Sequence, residues 1–458
     1  MSRARVAACA FFLFGLLFGV LLSDVSHALS VEDYLSEVTR LHEGYRSARE
    51  AAEGSLAAAE ASDLFFKPQV FAKLQFTYDP RDTFSPELYG DRTIGKLASI
   101  GLRDQTPWGI QLQLSMDYSQ NMLLGTSSPL ITRPTVTNLY PVPIFRWSLW
   151  QNWGGRMDRA SQQVNRAQSL AEAYGSDFQA RVALVEAEGR YWKLAILREA
   201  IQLTKDSLAR ARSVMSLDRK KARKQLIDPS DALLSESAVQ GKELELKSIE
   251  SEEKSAAREF NAARGIDSDE VSESLVLPKP EEFYRWKLPE RPTAARGDLK
   301  ALEQQEQAAK AGYEMAKEKL LPDLSFFGSI FAAGISFSMP LDLGTTGDAR
   351  DGYARKIHAA ELDYHRKTFE HEMEWKDLKT RFHDLVDRLK LAVKLEDLQR
   401  RKFEDMRKKR DYGRSVAFQV FQYELDYLTT EQNRLRLQGQ LLGLRAQSKL
   451  YLNAGDER

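Results

Sequence analysis

The sequence predicts an α+β membrane protein that combines a barrel of long antiparallel α-helical coiled coils with the strands of a transmembrane β-barrel. Long proline-free runs carry apolar residues at seven-residue spacing, which is typical of helices that supercoil around a partner. Other segments alternate between apolar and polar residues, as strands with two different faces do. The order of these segments occurs twice along the chain, which predicts two internal repeats.

A secretory signal peptide is predicted over residues 1–28. Arg3 and Arg5 precede an apolar run from Ala10 to Leu22. The small residues Ser26 and Ala28 then predict cleavage after Ala28. The only cysteine, Cys9, lies in this segment, so the exported chain is predicted to have no disulfide. Lys and Arg together number 66, as do Asp and Glu, and this balance argues against a nucleic-acid partner.

The first repeat is predicted over residues 29–265. It opens with a helix over residues 29–66, with Ser30 as its N-cap, and Pro68 ends this helix. Strands are predicted within 69–151, because residues 70–78 and 110–119 alternate between apolar and polar side chains. Further strands are predicted at 97–104 and 144–151, and residues 106–109 read as the turn of an additional hairpin, in the barrel or in an external loop. The alternation alone also permits a soluble β-sandwich in which one face of each sheet is exposed to solvent.

A coiled-coil hairpin is predicted over residues 156–265. Two rows of residues at seven-residue spacing suggest its seam, namely Phe178, Val185 and Trp192, and Val182, Gly189, Ile196 and Leu203. Near its tip, Asp228 is placed to cap the returning helix, Pro229 fits the first helical position, and Asp231 is placed to close a capping box. Residues 266–295 are acidic and contain four prolines, which predicts an irregular connector.

The second repeat is predicted over residues 296–454. A helix ends at Pro322, and a β-hairpin follows over 324–341 with a tight turn at Ala333-Gly334. A coiled-coil hairpin is then predicted over 349–452, with its tip at Gly413 and with Leu428, Leu435 and Leu442 on its seam.

Several short motifs, in their order and spacing, resemble the TolC family of outer-membrane efflux channels. The resemblance covers nearly the whole chain after the signal peptide. The matching segments are Leu29-Ser30-Val31-Glu32-Asp33-Tyr34-Leu35, Phe145-Arg146-Trp147-Ser148-Leu149 with Gly154-Gly155-Arg156, Arg296-Gly297-Asp298-Leu299, Ala316-Lys317-Glu318-Lys319-Leu320-Leu321-Pro322, Ser336-Phe337-Ser338-Met339-Pro340-Leu341 and Tyr412-Gly413-Arg414-Ser415.

The resemblance implies a homotrimer in outer-membrane lipid, with one shared β-barrel and a helical tunnel that extends across the periplasm. Such a duct would export substrates passively in a tripartite efflux or type I secretion system. Its partners would be a periplasmic adaptor protein and an inner-membrane pump of the RND or ABC type. One chain offers four to six strands, fewer than the roughly eight of the smallest usual barrels, so closure requires several chains.

The resemblance also assigns roles to the two hairpin tips. The periplasmic gate is expected at Tyr412, Gly413, Arg414, Ser415, Gln419 and Gln422, and the adaptor contact at Lys224, Gln225, Leu226, Asp228, Ser230 and Asp231. Gln225 stands where the family usually has glycine. Gln419 and Gln422 align with acidic residues that ring the entrance in better-known members, so an uncharged ring is expected here.

Basic runs precede both tips, at residues 219–224 and 407–410. They are interpreted either as solvated coiled-coil faces or as a positive collar that favours an acidic adaptor surface or an anionic cargo.

No arrangement of residues predicts catalysis, a cofactor or a metal site. The four histidines at 358, 365, 371 and 383 lack the spacing of a helical zinc motif, and no phosphate-binding glycine loop or nucleophile elbow occurs. The chain is therefore predicted not to be an enzyme. The alternative to an export duct is a periplasmic coiled-coil adaptor or scaffold without a pore.

Overall fold

The computed structural model describes residues 28–79, 92–125, 135–339, 341, 343–412, 414–415 and 417–453. The predicted signal segment before Ala28 and the predicted tip residue Gly413 lie outside these residues. The helices are α1 (Val31–Leu41), α2 (Glu43–Ala61), α3 (Arg156–Arg223), α4 (Pro229–Ala262), α5 (Pro280–Phe283), α6 (Gly297–Lys319), α7 (Leu343–Asp411) and α8 (Ala417–Ser448). No helix in this part of the chain is both long enough and apolar enough to cross a membrane.

The strands are β1 (Ala28–Leu29), β2 (Gln69–Asp79), β3 (Arg92–Gln105), β4 (Ile110–Leu124), β5 (Thr135–Ser148), β6 (Ser274–Leu275), β7 (Asp323–Ser329) and β8 (Ala333–Ser338). The chain divides into two compact units. Unit 1 comprises residues up to Ala48, Gln179–Ala295 and residues from Glu372 onward, and unit 2 comprises Arg49–Phe178 and Arg296–His371.

Unit 2 contains a six-stranded antiparallel sheet in the order β2-β3-β4-β5-β7-β8. The register places Val70 opposite Leu102, Leu102 opposite Leu114, and Leu114 opposite Pro143 in one apolar row. Side chains alternate between the two faces of a strand. One face is therefore mainly apolar, whereas polar and small side chains such as Ser115 occupy the other.

Two glycines make the junction between the sheet and helix α3 possible. Gly155 has a φ of 72°, and a Cβ on it would lie 2.0 Å from the carbonyl oxygen of Pro107. Gly109, in the turn between β3 and β4, has a φ of 79°, and a Cβ there would lie 2.5 Å from the carbonyl oxygen of Asn152. The Gly154-Gly155-Arg156 motif thus lets the backbone start α3 against the β3–β4 turn.

The turn of the short hairpin lies earlier than predicted. The sequence suggested a turn at Ala333-Gly334, but β7 ends at Ser329 and both of those residues lie in β8. The Ser329 hydroxyl oxygen accepts the N–H groups of Phe331 and Ala332, each at 3.2 Å, and the Ser329 N–H donates to the carbonyl oxygen of Ala332 at 2.7 Å. A serine-stabilised turn therefore replaces the expected glycine turn.

Strand β5 is also longer at its start than predicted, since it begins at Thr135 and not near Ile144. Pro141 and Pro143 lie within it, and prolines usually argue against a strand interior. The β3–β4 hairpin around residues 106–109 belongs to the same sheet, so it is not a separate external loop.

The core of unit 1 joins helices to the connector between the repeats. Tyr34 stacks on Phe260 with ring centroids 4.3 Å apart, and both are fully buried. Tyr191 donates its hydroxyl to the carbonyl oxygen of Leu29 at 2.7 Å and accepts the N–H of Val276 at 3.0 Å. These contacts hold the start of the described chain and the connector against helix α3.

The connector is more ordered than the predicted irregular segment. It contains β6, which pairs in parallel with β1, and the one-turn helix α5. The Arg198 side chain donates to the backbone carbonyl oxygens of Val271 and Glu273. These backbone groups are satisfied by a distant side chain, which local sequence patterns do not reveal.

The coiled-coil seams are partly as predicted. Leu428, Leu435 and Leu442 are buried, which confirms the seam of the second hairpin. In α3, Trp192 of the predicted rows is buried, but Val182 and Val185 are only half-buried. The most deeply buried row there is Ala180, Ala187 and Leu194, also seven residues apart. Small alanine side chains allow close helix packing, so this row faces the neighbouring helices.

Candidate functional site at the hairpin tips

The first tip follows α3, where the chain reverses between α3 and α4. Gln225 has a φ of 55°, in the left-handed region that favours glycine. Its N–H donates to the carbonyl oxygen of Ala222, and the N–H of Leu226 donates to that of Lys221, both at 2.9 Å. This hydrogen-bond pair is a Schellman motif with glutamine in the glycine position. The positional match of Gln225 to the family's glycine therefore has a conformational basis.

Helix α4 begins with the cap that the sequence predicted. The Asp228 carboxylate accepts the N–H of Ser230 at 2.8 Å and the Ser230 hydroxyl at 2.7 Å, and Pro229 occupies the first turn. These hydrogen bonds hold the pKa of Asp228 below its ordinary value. The Asp231 N–H donates to the carbonyl oxygen of Asp228 at 3.0 Å, and the described contacts of its side chain do not form the predicted capping box.

The remaining predicted contact residues of this tip face outward. Lys224 is exposed, and Leu226 keeps 68% of its side chain accessible. The tip thus presents a positive charge beside an apolar side chain on a fixed turn.

The second tip joins α7 to α8. The N–H of Arg414 donates to the carbonyl oxygen of Lys409 at 2.8 Å, which closes a turn of the same span as at Leu226. Tyr412 is 79% exposed, and Arg414 is also exposed.

Polar side chains line the start of α8 one turn apart. The Ser415 hydroxyl donates to the side-chain oxygen of Gln419 at 3.0 Å, and the Gln422 amide donates to the Asp426 carboxylate at 3.2 Å. Gln419 and Gln422 are both exposed. The predicted gate residues that the structure describes therefore lie together, but a carboxylate stands one turn beyond the neutral pair.

A buried ion pair connects the first hairpin to the second. The Arg410 guanidinium lies 2.5 Å from the Asp218 carboxylate, and their side chains are only 9% and 3% exposed. The Ser235 hydroxyl, on α4, donates to the same carboxylate. Arg410 belongs to a basic run that was interpreted either as a solvated coiled-coil face or as a positive collar, and both interpretations require an exposed side chain. Instead, Arg410 neutralises a buried acid, because Asp218 lies seven residues after buried Ala211, on the inward row of α3.

A second ion pair repeats this connection. Arg210 on α3 lies 2.8 Å from Glu424 on α8, and the Glu424 side chain is 5% exposed. The Ser207 hydroxyl also donates to Glu424, at 3.4 Å. Neither ion pair was predicted from the sequence. The available signal was a charged residue at a seam position. Glu424 lies four residues before Leu428, which is the spacing between neighbouring seam positions of a heptad.

A further acidic residue, Glu431, is buried deeper in the second hairpin. It accepts the Tyr427 hydroxyl at 2.6 Å, and Glu396 and Arg434 form an ion pair beside it. Burial raises the pKa of the Glu431 carboxyl, the nearby Glu396 raises it further, and the Tyr427 hydrogen bond, Arg210 and Arg434 offset only part of this effect. The same burial and the hydrogen bond to Glu431 raise the pKa of Tyr427.

The basic runs differ in how far they are neutralised. Arg219 pairs with Glu236 at 3.0 Å, and Lys409 pairs with Asp405 at 2.7 Å. Lys220, Lys221 and Lys408 form no ion pair with other described residues. Arg223, Lys224 and Arg407 likewise form none, so these six side chains, and not Arg410, are the positive charges of the two runs that remain for a collar.

No group of three or more His, Cys, Asp or Glu side chains in the described part of the chain is arranged to hold a metal ion. The described residues of the tips instead present charged and apolar side chains, and ion pairs join the helices behind them.

No family model matches the chain, and no curated protein matches it in sequence. Solved structures do match. The transmembrane channel CusC superimposes with a TM-score of 0.67 at 13% identity, covering 92% of each chain. The Campylobacter jejuni outer membrane channel CmeC gives 0.67 at 10% identity, covering 92% of this chain and 85% of its own. The chain has the fold of these outer-membrane channels.

The Vibrio cholerae outer membrane protein VceC has the same fold, with a TM-score of 0.64 at 13% identity over 91% of this chain and 94% of its own. The TolC-type fold that the motifs predicted is thereby confirmed. The likeness extends over nearly the whole described chain, so it includes both the six-stranded sheet and the hairpins that carry the two tips.

Proposed function

We propose that the chain is a passive export duct of the outer membrane, assembled from three copies. The observation that carries this proposal is the exposed apolar face of the sheet in a chain with the fold of outer-membrane channels. Val70, Leu74 and Phe76 are each at least 75% exposed on this face. A large exposed apolar surface marks contact with lipid or with another protein.

The dimensions of the apolar face support contact with lipid. On β3, the apolar residues Leu102, Ile100 and Ala98 lie on this face between the charged residues Asp104 and Lys96. The eight residue steps between these two charges measure about 27 Å along the strand, or about 20 Å along the membrane normal for a tilted strand. This height is close to the apolar band of about 25 Å that outer-membrane barrels present.

Trimeric assembly supplies the barrel closure that one chain lacks. The sheet ends at β2 and at β8, and each of these strands has a neighbour on only one side within the described residues. Open edges require partners. Pairing of β8 in one copy with β2 in the next would close a barrel of about 18 strands, within the range of known barrels. The two repeats, 29–265 and 296–454, would each contribute strands and one coiled-coil hairpin.

The two buried ion pairs support a gating mechanism. In our proposal, Asp218–Arg410 and Arg210–Glu424 hold the second hairpin against the first and keep the periplasmic mouth narrow. Separation of the helices at the gate residues 412–422 would then widen the mouth. A buried ion pair that loses one partner costs about 3–5 kcal/mol, so these pairs favour one arrangement strongly.

Adaptor contact would involve Lys224, Gln225, Leu226, Asp228, Ser230 and Asp231, with the unpaired lysines favouring an acidic adaptor surface. An inner-membrane pump of the RND or ABC type would supply cargo and energy. The duct would lie in the outer membrane, with its hairpins in the periplasm.

Outer-membrane fractionation and single-channel recording test this proposal against the scaffold alternative. A duct is expected in the outer-membrane fraction, and the purified protein is expected to produce discrete conductance steps in a planar bilayer. Recovery of the protein as a periplasmic soluble monomer without conductance would instead identify a scaffold.

Charge variants test the gate. Arg410→Gln and Glu424→Gln are each expected to raise the open probability, because each variant breaks one connection between the hairpins. The exchange variant, with Asp218→Arg and Arg410→Asp, restores the pair in reverse and is expected to recover low conductance. Equal conductance in all variants would contradict the gating mechanism while leaving the duct intact.

A further inference from the structure

The turn between β7 and β8 places an aromatic side chain on the polar face of the sheet. The Phe331 ring packs edge-on against the ring of Tyr140 on β5, with the ring centroids 5.0 Å apart. Tyr140 pairs with Asp117 on β4, which pairs with Ser99 on β3, so these three side chains share one face. This face lies opposite the exposed apolar face, and in the proposed duct it lines the lumen.

Apolar side chains form a patch on this mainly polar face. We name it the luminal patch, and its members are Tyr140, Val142 and Ile144 on β5, Phe327 on β7 and Phe331 in the turn. Ile144, Phe327 and Phe331 are 39%, 40% and 66% exposed. The interior of a wide barrel is normally polar, and an exposed apolar patch marks a contact site. The luminal patch therefore indicates a binding partner inside the duct.

The register places the aromatic pair at the middle height of the apolar face. Asp117, the partner of Tyr140, follows Met116, and Met116 pairs with Ile100. Ile100 lies midway between the two charged residues that bound the apolar face on β3. A ligand that contacts the aromatic pair therefore lies well inside the barrel.

A carboxylate lies beside the aromatic pair. Asp117 is directly opposite Tyr140, and the Cβ atoms of such pairs are about 4.5–5.5 Å apart. Among the described residues, the shielded Asp117 Oδ1 has no hydrogen-bond partner, and the side chain forms no ion pair. Lys73, in the same row, is two strand spacings or about 10 Å away. Salt screens charges over about 8 Å, so Asp117 supplies a negative charge that Lys73 offsets little.

We propose that Tyr140, Phe331 and Asp117 form a luminal binding site for small organic cations that carry an aromatic or another apolar group. The rings contact the apolar group and attract the positive charge, and the carboxylate adds the opposite charge. This inference rests on the proposed duct, in which three copies supply three such sites. Cargo must leave the duct again, so each site binds weakly.

Saturation-transfer NMR on the purified protein in lipid nanodiscs tests the site. The probe is benzyltrimethylammonium, which joins an aromatic ring to a permanent positive charge, and benzyl alcohol is the uncharged comparison. Empty nanodiscs correct for uptake by lipid. Asp117→Asn removes the charge at constant size, and Phe331→Ala removes the exposed ring, with Phe331→Leu as a second variant if Phe331→Ala folds poorly. Asp104→Asn and Phe337→Ala are the matched controls, because they make the same changes on the apolar face.

The wild type and both controls are expected to bind the probe, and each site variant is expected to bind it several-fold more weakly. Benzyl alcohol is expected to bind several-fold more weakly than the probe and to show no response to Asp117→Asn. Equal binding of the two compounds, or equal probe binding in all variants, would overturn the cation site.

Conductance of the same preparations separates this inference from the proposed function. Protein that conducts ions but does not bind the probe would overturn the luminal site alone and leave the duct intact. Protein that never conducts in a planar bilayer would overturn the duct, and the luminal site would fall with it.

Discussion

At the scale of single residues, the backbone of Gln225 adopts a left-handed conformation that is unfavourable for a residue with a side chain. Its φ of 55° closes the first tip, and a non-glycine residue pays about 1–2 kcal/mol in this conformation. The two hydrogen bonds to Ala222 and Lys221 impose the turn regardless of the residue. The tip therefore retains strain at a position proposed for adaptor contact.

We expect Gln225→Gly to stabilise the first tip by about 0.5–1 kcal/mol, because glycine adopts a positive φ freely but loses more entropy on folding. Hydrogen exchange of the Leu226 amide measures this local stability. Ala222→Gly, in the last turn of α3, is the control and is expected to lose about 1 kcal/mol. Faster exchange in Gln225→Gly than in the wild type would contradict the proposed strain.

Glu431 predicts a pH dependence of stability. Its pKa is raised in the folded state, so folding holds its proton more tightly than the unfolded chain does. The stabilisation from the protonated carboxyl is therefore present below the ordinary pKa of about 4.3 and is lost as pH rises through the raised value. We expect Glu431→Gln to be more stable than the wild type at neutral pH and equal to it near pH 4.

Thermal unfolding at the two pH values measures this effect. Glu424→Gln is the matched control, since it removes a buried charge that faces Arg210 at 2.8 Å and should destabilise the protein at neutral pH. A Glu431→Gln variant that is less stable than the wild type at neutral pH would contradict this prediction, because it would show that the folded protein stabilises the ionised carboxylate of Glu431.

At the scale of elements, the junction between sheet and helix depends on close backbone approach. Gly154 and Gly155 both have positive φ, at 64° and 72°, but only Gly155 lies against another backbone segment, at Pro107. The two neighbours therefore separate the effect of conformation from the effect of crowding.

We expect Gly154→Ala to cost about 1–2 kcal/mol, from the left-handed backbone alone. Gly155→Ala adds a clash with the Pro107 carbonyl and should cost substantially more, with loss of folded protein. Yield and thermal unfolding of the two variants measure the difference. Equal losses would show that the β3–β4 turn moves away easily, so that crowding at this junction has no energetic weight.

At the scale of the whole molecule, the proposed gate combines neutral and positive side chains. Gln419 and Gln422 are exposed at the start of α8, and Arg414 is exposed beside them. In a trimer, three copies of each would surround the mouth and would not select for cations.

We expect a reversal potential without strong cation preference under a salt gradient across a planar bilayer. The double variant Gln419→Glu and Gln422→Glu adds carboxylates at the mouth and should shift this potential towards cation selectivity. Gln440→Glu, at an exposed position farther along α8, is the control and should have little effect. An unchanged potential in the double variant would place the selective region elsewhere in the duct.

Local patterns in the sequence determined most of the elements of this fold. Alternation predicted β2 and β4, seven-residue spacing predicted the long helices, and Ser30 and Asp228 marked the helix starts that the structure has. The tip residues could be located because a break between two helical runs is visible in any single sequence. These signals act between residues close in the chain, so they need no knowledge of the partner segments.

Only the tertiary structure decided which residues face each other. Asp218 and Arg410 are 192 residues apart, and their pairing depends on how two hairpins pack. The alanine row of α3 is buried because small side chains permit close contact, although larger apolar residues gave the stronger pattern. Pro141 and Pro143 lie within strand β5, although local rules argue against proline in a strand interior, because pairing with β4 decides where this strand runs.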